Sequence, residues 1–153
     1  MDVSYHNAKL TDVKTMQELV LPEVKSGKIL FRSDDEISTN IRSYTLAKLD
    51  GKLLGFIALH IHAPDLAEVR SLIVNESARG KGIGQELVKR TLVEGKELGV
   101  GKVFTLTYEQ RFFEKLAFNE IPKESLPEHK IWADCIKCKH FPICDEIALI
   151  IAL

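Results

Sequence analysis

Apolar and polar positions along the chain follow two periods, and the switches between them mark the elements. Residues 5–8 open with a short strand-like run. Thr11 is a candidate N-cap with Asp12 in the first turn behind it. Val13, Met16, Leu19 and Val20 then recur three and four apart, which predicts an amphipathic helix closed by Pro22 and Gly27. Lys28-Ile29-Leu30-Phe31-Arg32-Ser33 is an apolar loop ending in a cation. Ser33 and Glu36 stand at capping-box spacing and predict a helix over 34–42. Two strands follow at 44–49 and 53–61, joined by Asp50-Gly51, a hairpin signal. Ala63-Pro64-Asp65 turns the chain into a third strand, 66–74. A helix is expected over 85–98, with Ile83, Leu87, Val88 and Thr91 on one side and Gln85, Glu86, Lys89, Arg90, Lys96 and Glu97 on the other. Gly99 and Gly101 end it. A strand at 102–107, a short helix at 110–116, a strand at 119–121 and an apolar final strand at 146–153 complete the set. The stretch from about 122 to 145 breaks the pattern and reads as an insertion, with a helical turn before Cys135. This order predicts an α+β fold in one domain spanning 1–153: a mixed, mainly antiparallel sheet with helices on both faces.

Between the strand at 66–74 and the helix after it lies Arg79-Gly80-Lys81-Gly82-Ile83-Gly84. Glycines bring no Cβ between the backbone and a ligand. A helix that starts there presents unpaired N–H groups and the positive end of its dipole, which is a seat for phosphate. Neither the P-loop nor the dinucleotide fingerprint fits: no Gly-Lys is followed by Ser or Thr, and the Gly-x-Gly-x-x-Gly spacing is missing. The pattern that fits is Arg/Gln-x-x-Gly-x-Gly/Ala. The alternative is a glycine-rich surface turn.

Composition works mainly by exclusion. The chain has 153 residues, 45% of them hydrophobic, and a net charge of −1, so a packed core is expected rather than disorder. The balanced charge gives no reason to expect nucleic acid or an anionic membrane as partner. No run reaches the roughly 18 apolar residues of a membrane span. Met1-Asp2-Val3-Ser4-Tyr5-His6 is unlike a signal peptide, so a cytoplasmic location is expected. Oligomeric state is left open, a homodimer included.

The glycine pattern resembles the acetyl-CoA pyrophosphate loop of the GNAT acyltransferase superfamily, and the order of elements resembles that family across nearly the whole chain. Leu30-Phe31-Arg32-Ser33, Ala58-Leu59-His60-Ile61, 65–72, Leu106-Thr107-Tyr108 and 112–118 look like stretches of the short bacterial amino-acid N-acetyltransferases, single-domain relatives of N-acetylglutamate synthase. Trp132 to Cys138 and Phe141 to Glu146 resemble the C-terminal signature of that group. The resemblance implies acetyl-CoA as cosubstrate and a small amino-acid acceptor, L-glutamate, in arginine biosynthesis. It also implies that the backbone of Leu72, Ile73 and Val74 pairs with the pantetheine arm. The N–H groups of Arg79, Gly80, Lys81, Gly82, Ile83, Gly84 and Gln85 would hold the pyrophosphate, with the Arg79 and Lys81 side chains adding charge or serving as solvated surface.

Acetyl transfer to an amine needs a neutral amine, a polarised carbonyl and a tolerable leaving thiolate. Glu68 is the candidate base. In an extended strand it shares a face with Arg70 roughly 7 Å away, and a turn near Pro64 places His60 across from it. An ordinary Glu68–Arg70 surface pair is the competing account. Arg32 and Arg70 are candidates for the substrate carboxylates, each offering a planar two-donor fork. A cation in an otherwise apolar loop is an improbable solubiliser. At the place where many relatives carry a Tyr acid this chain has Phe113, and Ala117 stands where Gly is usual. Tyr108 is the nearest replacement acid, with packing as its alternative. The thiolate can also leave unaided, since a thiol pKa of about 8.5 makes it a fair leaving group.

Cys135, Cys138 and Cys144, with His140 among them, have the residue types of a Cys3His zinc site. Free thiols, a Cys135–Cys138 redox pair and buried structural cysteines compete with it. His6, His62 and His129 carry no assigned role. An acetyltransferase for another amino acid or a protein N-terminus, and a non-catalytic acetyl-CoA-binding module, remain as alternatives. A polyamine acceptor fits poorly with two arginines.

Overall fold

The computed structural model describes residues 2–126 and 146–153. Its strands are β1 (Ser4–Asn7), β2 (Tyr44–Leu49), β3 (Lys52–Ala63), β4 (Leu66–Val74), β5 (Lys102–Thr107), β6 (Asn119–Ile121) and β7 (Ile147–Ala152). They form one seven-stranded sheet in the order β1-β2-β3-β4-β5-β7-β6. The β4–β5 pair is parallel and the other neighbours are antiparallel. The helices are α1 (Val13–Lys25), α2 (Asp34–Thr39), α3 (Ile83–Leu98) and α4 (Gln110–Glu114).

The sheet buries both faces, as its sequence pattern requires. On one side Ile57, Leu59, Val69 and Leu149 meet Ile83, Leu87 and Val88 of α3 and Phe113 of α4. On the other, Leu46, Phe56 and Ile73 meet Val13, Met16 and Val20 of α1 and Ile37 of α2. The α+β fold with helices on both faces is therefore as expected.

Several boundaries differ from the sequence reading. Thr11 does not cap α1. Asp12 precedes the helix, and its carboxylate accepts from Lys9 N–H at 2.8 Å and from Lys48 Nζ at 2.8 Å. The helix also continues through Pro22 to Lys25. Proline there forfeits one donor near the helix end, and the last turn is retained by Val24 packing on the α1/α2 core. Helix α2 stops at Thr39 rather than 42, because Asn40 turns out of helical geometry and its Nδ2 donates to Glu36 O at 3.0 Å. Ser33 does cap α2, accepting from Glu36 N–H at 3.1 Å. Helix α4 ends at Glu114, two residues short of the expected end. Ala117 beyond it holds φ +76°, the left-handed region where glycine is at ease.

Two irregularities position the site. Asp50 and Gly51 both have positive φ, as the tight hairpin demands, but the β2–β3 ladder then slips. Ala47 faces Gly55 and Lys48 faces Leu53, so Leu54 is an extra residue. In the β3–β4 ladder, Phe56 faces Ile73 and Ala58 faces Arg70. Ile57 thus opposes both Ser71 and Leu72, and Ser71 adopts φ +58°. This is a β-bulge in β4.

Candidate active site

The parallel β4–β5 ladder joins Leu66, Ala67 and Glu68 to Lys102, Val103 and Phe104. Past those pairs β4 runs on to Val74 and β5 to Thr107, and no further pairing joins them. Thr105, 3% exposed, donates from Oγ1 to Val69 O at 2.9 Å and so satisfies the first carbonyl released by the divergence. The bulge at Ser71 lies just beyond. The opening between the two strands is bordered on one side by Leu72, Ile73 and Val74.

The chain leaves β4 through Asn75, whose Oδ1 accepts from Ser77 N–H at 3.0 Å and caps the turn Glu76–Ala78. Ala78 anchors that turn in the core at 3% exposure. Gly80 and Gly82 each hold φ +79°, and a Cβ at either would meet no atom within 4 Å. Their role is therefore conformational: they turn the chain so that α3 begins with outward N–H groups beside open space. Gly84 differs. A Cβ there would sit 3.4 Å from Phe112 Cζ, in contact with α4. The Ile83 side chain is buried at 2%, which leaves only its backbone to a ligand. Arg79 donates from Nε to Val74 O at 3.1 Å and from Nη2 to Glu23 Oε1 at 3.2 Å. Its guanidinium thus ties the loop to the end of β4 and to α1. Lys81 and Gln85 are exposed.

The α1/α2 face of the sheet carries the polar residues. Tyr44, Ala58 and Arg70 form one row across β2, β3 and β4, and His60, Glu68 and Phe104 form the next row across β3, β4 and β5. Cross-strand partners share a face, so His60 stands opposite Glu68 as the turn near Pro64 predicted. Glu68 is 2% exposed. His62 Nε2 lies 2.9 Å from Glu68 Oε1. The loop before α2 turns its expected polarity inside out: Phe31 is 60% exposed while Arg32 is 8% exposed. Arg32 donates from Nη1 to Glu36 Oε2 at 2.6 Å, one turn into α2. Gln17 fixes this loop to α1, donating to Arg32 O at 2.8 Å and to Asp34 Oδ1 at 3.0 Å.

Tyr44 links the two arginines. Burial pushes its phenol above the ordinary value, the nearby Arg32 and Arg70 guanidiniums pull it down, and Glu36 pushes it up. Burial prevails, so Tyr44 stays a neutral hydroxyl between two cations. The Nε atoms of Arg32 and Arg70 are both buried.

The structure thus gathers His60, Glu68 and Arg70 on one face of the sheet next to the strand opening, with Arg32 of the loop before α2 near Tyr44 of the same face. Tyr108, 38% exposed, follows the end of β5, so it is not a packing residue of the core. Phe113 is core, 2% exposed and edge-on to Phe118. Residues passed over in the sequence also belong here: His62, which had no assigned role, and Glu36, Tyr44 and Thr105. His62 lay past the expected strand end at 61, whereas β3 extends to Ala63. A His-x-His alternation facing Glu68 was the available signal. Cys135, Cys138, His140 and Cys144 lie outside the described residues. Among the described residues no three His, Cys, Asp or Glu side chains are grouped so as to hold a metal ion. A groove of about 550 Å³ between α1 and the 31–35 segment is lined by Val20, Leu21, Val24 and Phe31 with Asp34 and Asp35; Arg32, Glu68 and Arg70 are not part of its wall.

Comparison with known proteins places this geometry. The chain is 38% identical over 149 residues to an uncharacterized N-acetyltransferase of Chlorobaculum tepidum, covering 97% of this chain and 96% of the relative. It is 34% identical over 118 residues to an amino-acid acetyltransferase of Mycobacterium tuberculosis, covering 74% of this chain and 67% of that one. In fold it is similar to N-acetylglutamate synthase from Neisseria gonorrhoeae complexed with coenzyme A and N-acetyl-glutamate. The TM-score is 0.89 at 23% identity, over 100% of this chain and 35% of that one. The model of the acetyltransferase (GNAT) family matches residues 13–118, a span that includes the glycine loop, the opened strand pair and the buried polar face. This chain belongs to the GNAT acetyltransferase family.

Proposed function

We propose that the protein transfers an acetyl group from acetyl-CoA to the α-amino group of L-glutamate by direct attack in a ternary complex, as a step of arginine biosynthesis. One observation carries the reading: a buried carboxylate, Glu68, and Arg70 share the sheet face beside the point where β4 leaves β5, and Arg32, buried in the loop before α2, lies near Tyr44 of that face. The names of the M. tuberculosis relative and of the N. gonorrhoeae structure support an amino-acid acceptor.

In this reading the α3 N-terminus and the loop N–H groups hold the pyrophosphate. The free edge of β4 at Leu72–Val74 aligns the pantetheine arm, and the thioester lies in the strand opening. Glu68 takes the proton from the acceptor ammonium. The amine lone pair attacks the thioester carbon, a C–N bond forms, and the C–S bond breaks as the electron pair leaves on sulfur. The attacking nitrogen then sheds its second proton, which passes to the thiolate directly or through Tyr108, or to solvent where the thiolate departs as the anion. Arg32 and Arg70 each hold one substrate carboxylate, with His60 at the same face. An acceptor lacking one carboxylate would forgo a two-donor guanidinium contact that glutamate makes, and would bind more weakly. Zinc bound by Cys135, Cys138, His140 and Cys144 would be a structural addition and takes no part in this chemistry.

The test is CoA release measured across the amino acids. Release with glutamate, but not with aspartate, glutamine or buffer, is the expected result. Preference for another amine would overturn the choice of acceptor. Acetyl-CoA binding without turnover on any amine would make the protein a binding module instead.

A further inference from the structure

The buried face holds a histidine–glutamate pair whose histidine has no part in the scheme above. His62 and Glu68 side chains are 3% and 2% exposed, with Nε2 and Oε1 at 2.9 Å. The β3–β4 register shifts between Ile61 and Ala63, so His62 sits in the irregular step, on the same side of β3 as His60. Its ring lies against Phe104 of β5, centroids 5.3 Å apart at 30°, and takes the edge of His60 at 4.8 Å and 79°. Contacts on β3 and β5 thereby fix the imidazole, and its nitrogen is directed at a carboxylate on β4.

A base that must meet an amine in one geometry gains from being held there before the substrate arrives. A glutamate side chain has several rotatable bonds, and ordering it costs conformational entropy. Burial adds a desolvation penalty unless the charge is hydrogen-bonded. A ring N–H donated to an ionised carboxylate offsets both. Engaging Oε1 restrains the rotation of the carboxylate.

We propose that His62 is a positioning residue: its Nε2–H holds the Glu68 carboxylate in the orientation from which it accepts the proton of the acceptor amine. This rests on the reading of Glu68 as the base. Two substitutions separate positioning from packing. His62→Phe keeps a ring against Phe104 and removes the donor, whereas His62→Gln brings an amide N–H to about the same reach. His62→Phe is expected to lower kcat by about tenfold or more with the acetyl-CoA KM unchanged, and His62→Gln to stay within about threefold of the parent. His62→Leu, smaller and also without a donor, gives the same reading if the larger ring is not accommodated. Glu68→Gln serves as the control and is expected to lose about a hundredfold or more in kcat. If Glu68→Gln is as active as the parent, the assignment of the base fails, and the positioning role with it. If Glu68→Gln is inactive while His62→Phe or His62→Leu keeps full kcat, the positioning role alone fails. It also fails if His62→Gln is as slow as the variants without a donor.

Discussion

The exchange of places between Phe31 and Arg32 is the clearest residue-level sign of function. An aromatic ring left 60% exposed beside a guanidinium 8% exposed runs against the solvation preference of both. The Glu36 carboxylate offsets the buried charge at 2.6 Å, and at 36% exposed it can turn to water. Removing Arg32 therefore leaves no buried anion behind, and its effect on folding is separable from its effect on substrate. Arg32→Ala is expected to raise the glutamate KM about tenfold or more, with the melting temperature nearly unchanged, in steady-state assays. Unchanged kinetics would remove Arg32 from the site. A cation inside an apolar run made Arg32 legible in the sequence. Its Glu36 partner was not, because the capping-box spacing already accounted for that residue. Asp12 offers a second test at this scale. Burial pushes its carboxyl up, but Lys48 and the Lys9 N–H together hold it below its ordinary value of 3.8. A carboxyl lowered on folding contributes stability above its unfolded value and loses it as pH falls through the folded one. Asp12→Asn keeps the shape and removes the charge. It is expected to cost about 1 kcal/mol at pH 7 by urea denaturation and progressively less below about pH 4. An equal loss at both pH values would exclude the ion pair as the cause.

Among the elements, β3 and β4 show what alternation could and could not reveal. Both strands followed from period-2 runs, and their places beside each other and beside β2 from Asp50-Gly51 and Ala63-Pro64-Asp65; the parallel pairing of β4 with β5 did not. The bulges at Leu54 and Ser71 did not, because an extra residue is visible only against its partner strand. Their consequence is large: a bulge moves every later side chain to the other face. It explains why Leu54 and Phe56, two apart, lie in opposite cores. Gly55 sits between these irregularities. A Cβ there would lie 2.5 Å from Ile73 O and 3.2 Å from Val74 Cα, both backbone atoms at the end of β4 to which the pantetheine arm is assigned in the proposed function. Gly55→Ala must push β4 away. It is expected to cost about 1–3 kcal/mol and to raise the acetyl-CoA KM more than the glutamate KM. The reverse order of the two KM effects would mean that the bulge region serves the acceptor. Ala117 is the opposite case. At φ +76° its Cβ is strained, and Ala117→Gly is expected to stabilise by about 0.5–1 kcal/mol by thermal unfolding, the gain from relieved strain exceeding the added freedom of the unfolded chain.

At the scale of the whole molecule, the proposed function divides the binding task between two surfaces, on either side of the divergence of β4 from β5. The glycine loop and the α3 N-terminus lie at the end of β4, and the arginines lie on the α1/α2 face of β2–β4. The two halves of the site should then fail independently. A ligand that binds only the folded chain at a hundred times its Kd stabilises by about 2.7 kcal/mol, which for a chain of this size is a shift of roughly 5–10 °C. Coenzyme A alone should give such a shift. Gly82→Ala places a Cβ at φ +79°, costs about 1 kcal/mol in the free protein, and should remove most of the coenzyme A shift, because the loop can no longer present its N–H groups in the same turn. Arg32→Ala should keep the full coenzyme A shift and lose only the additional shift given by N-acetyl-glutamate in its presence. Differential scanning fluorimetry on the three proteins, with each ligand and with both, reads the four combinations. If Arg32→Ala abolishes the coenzyme A shift as well, the cofactor site extends onto the α1/α2 face. The strand opening would then be one continuous pocket and not the boundary between two.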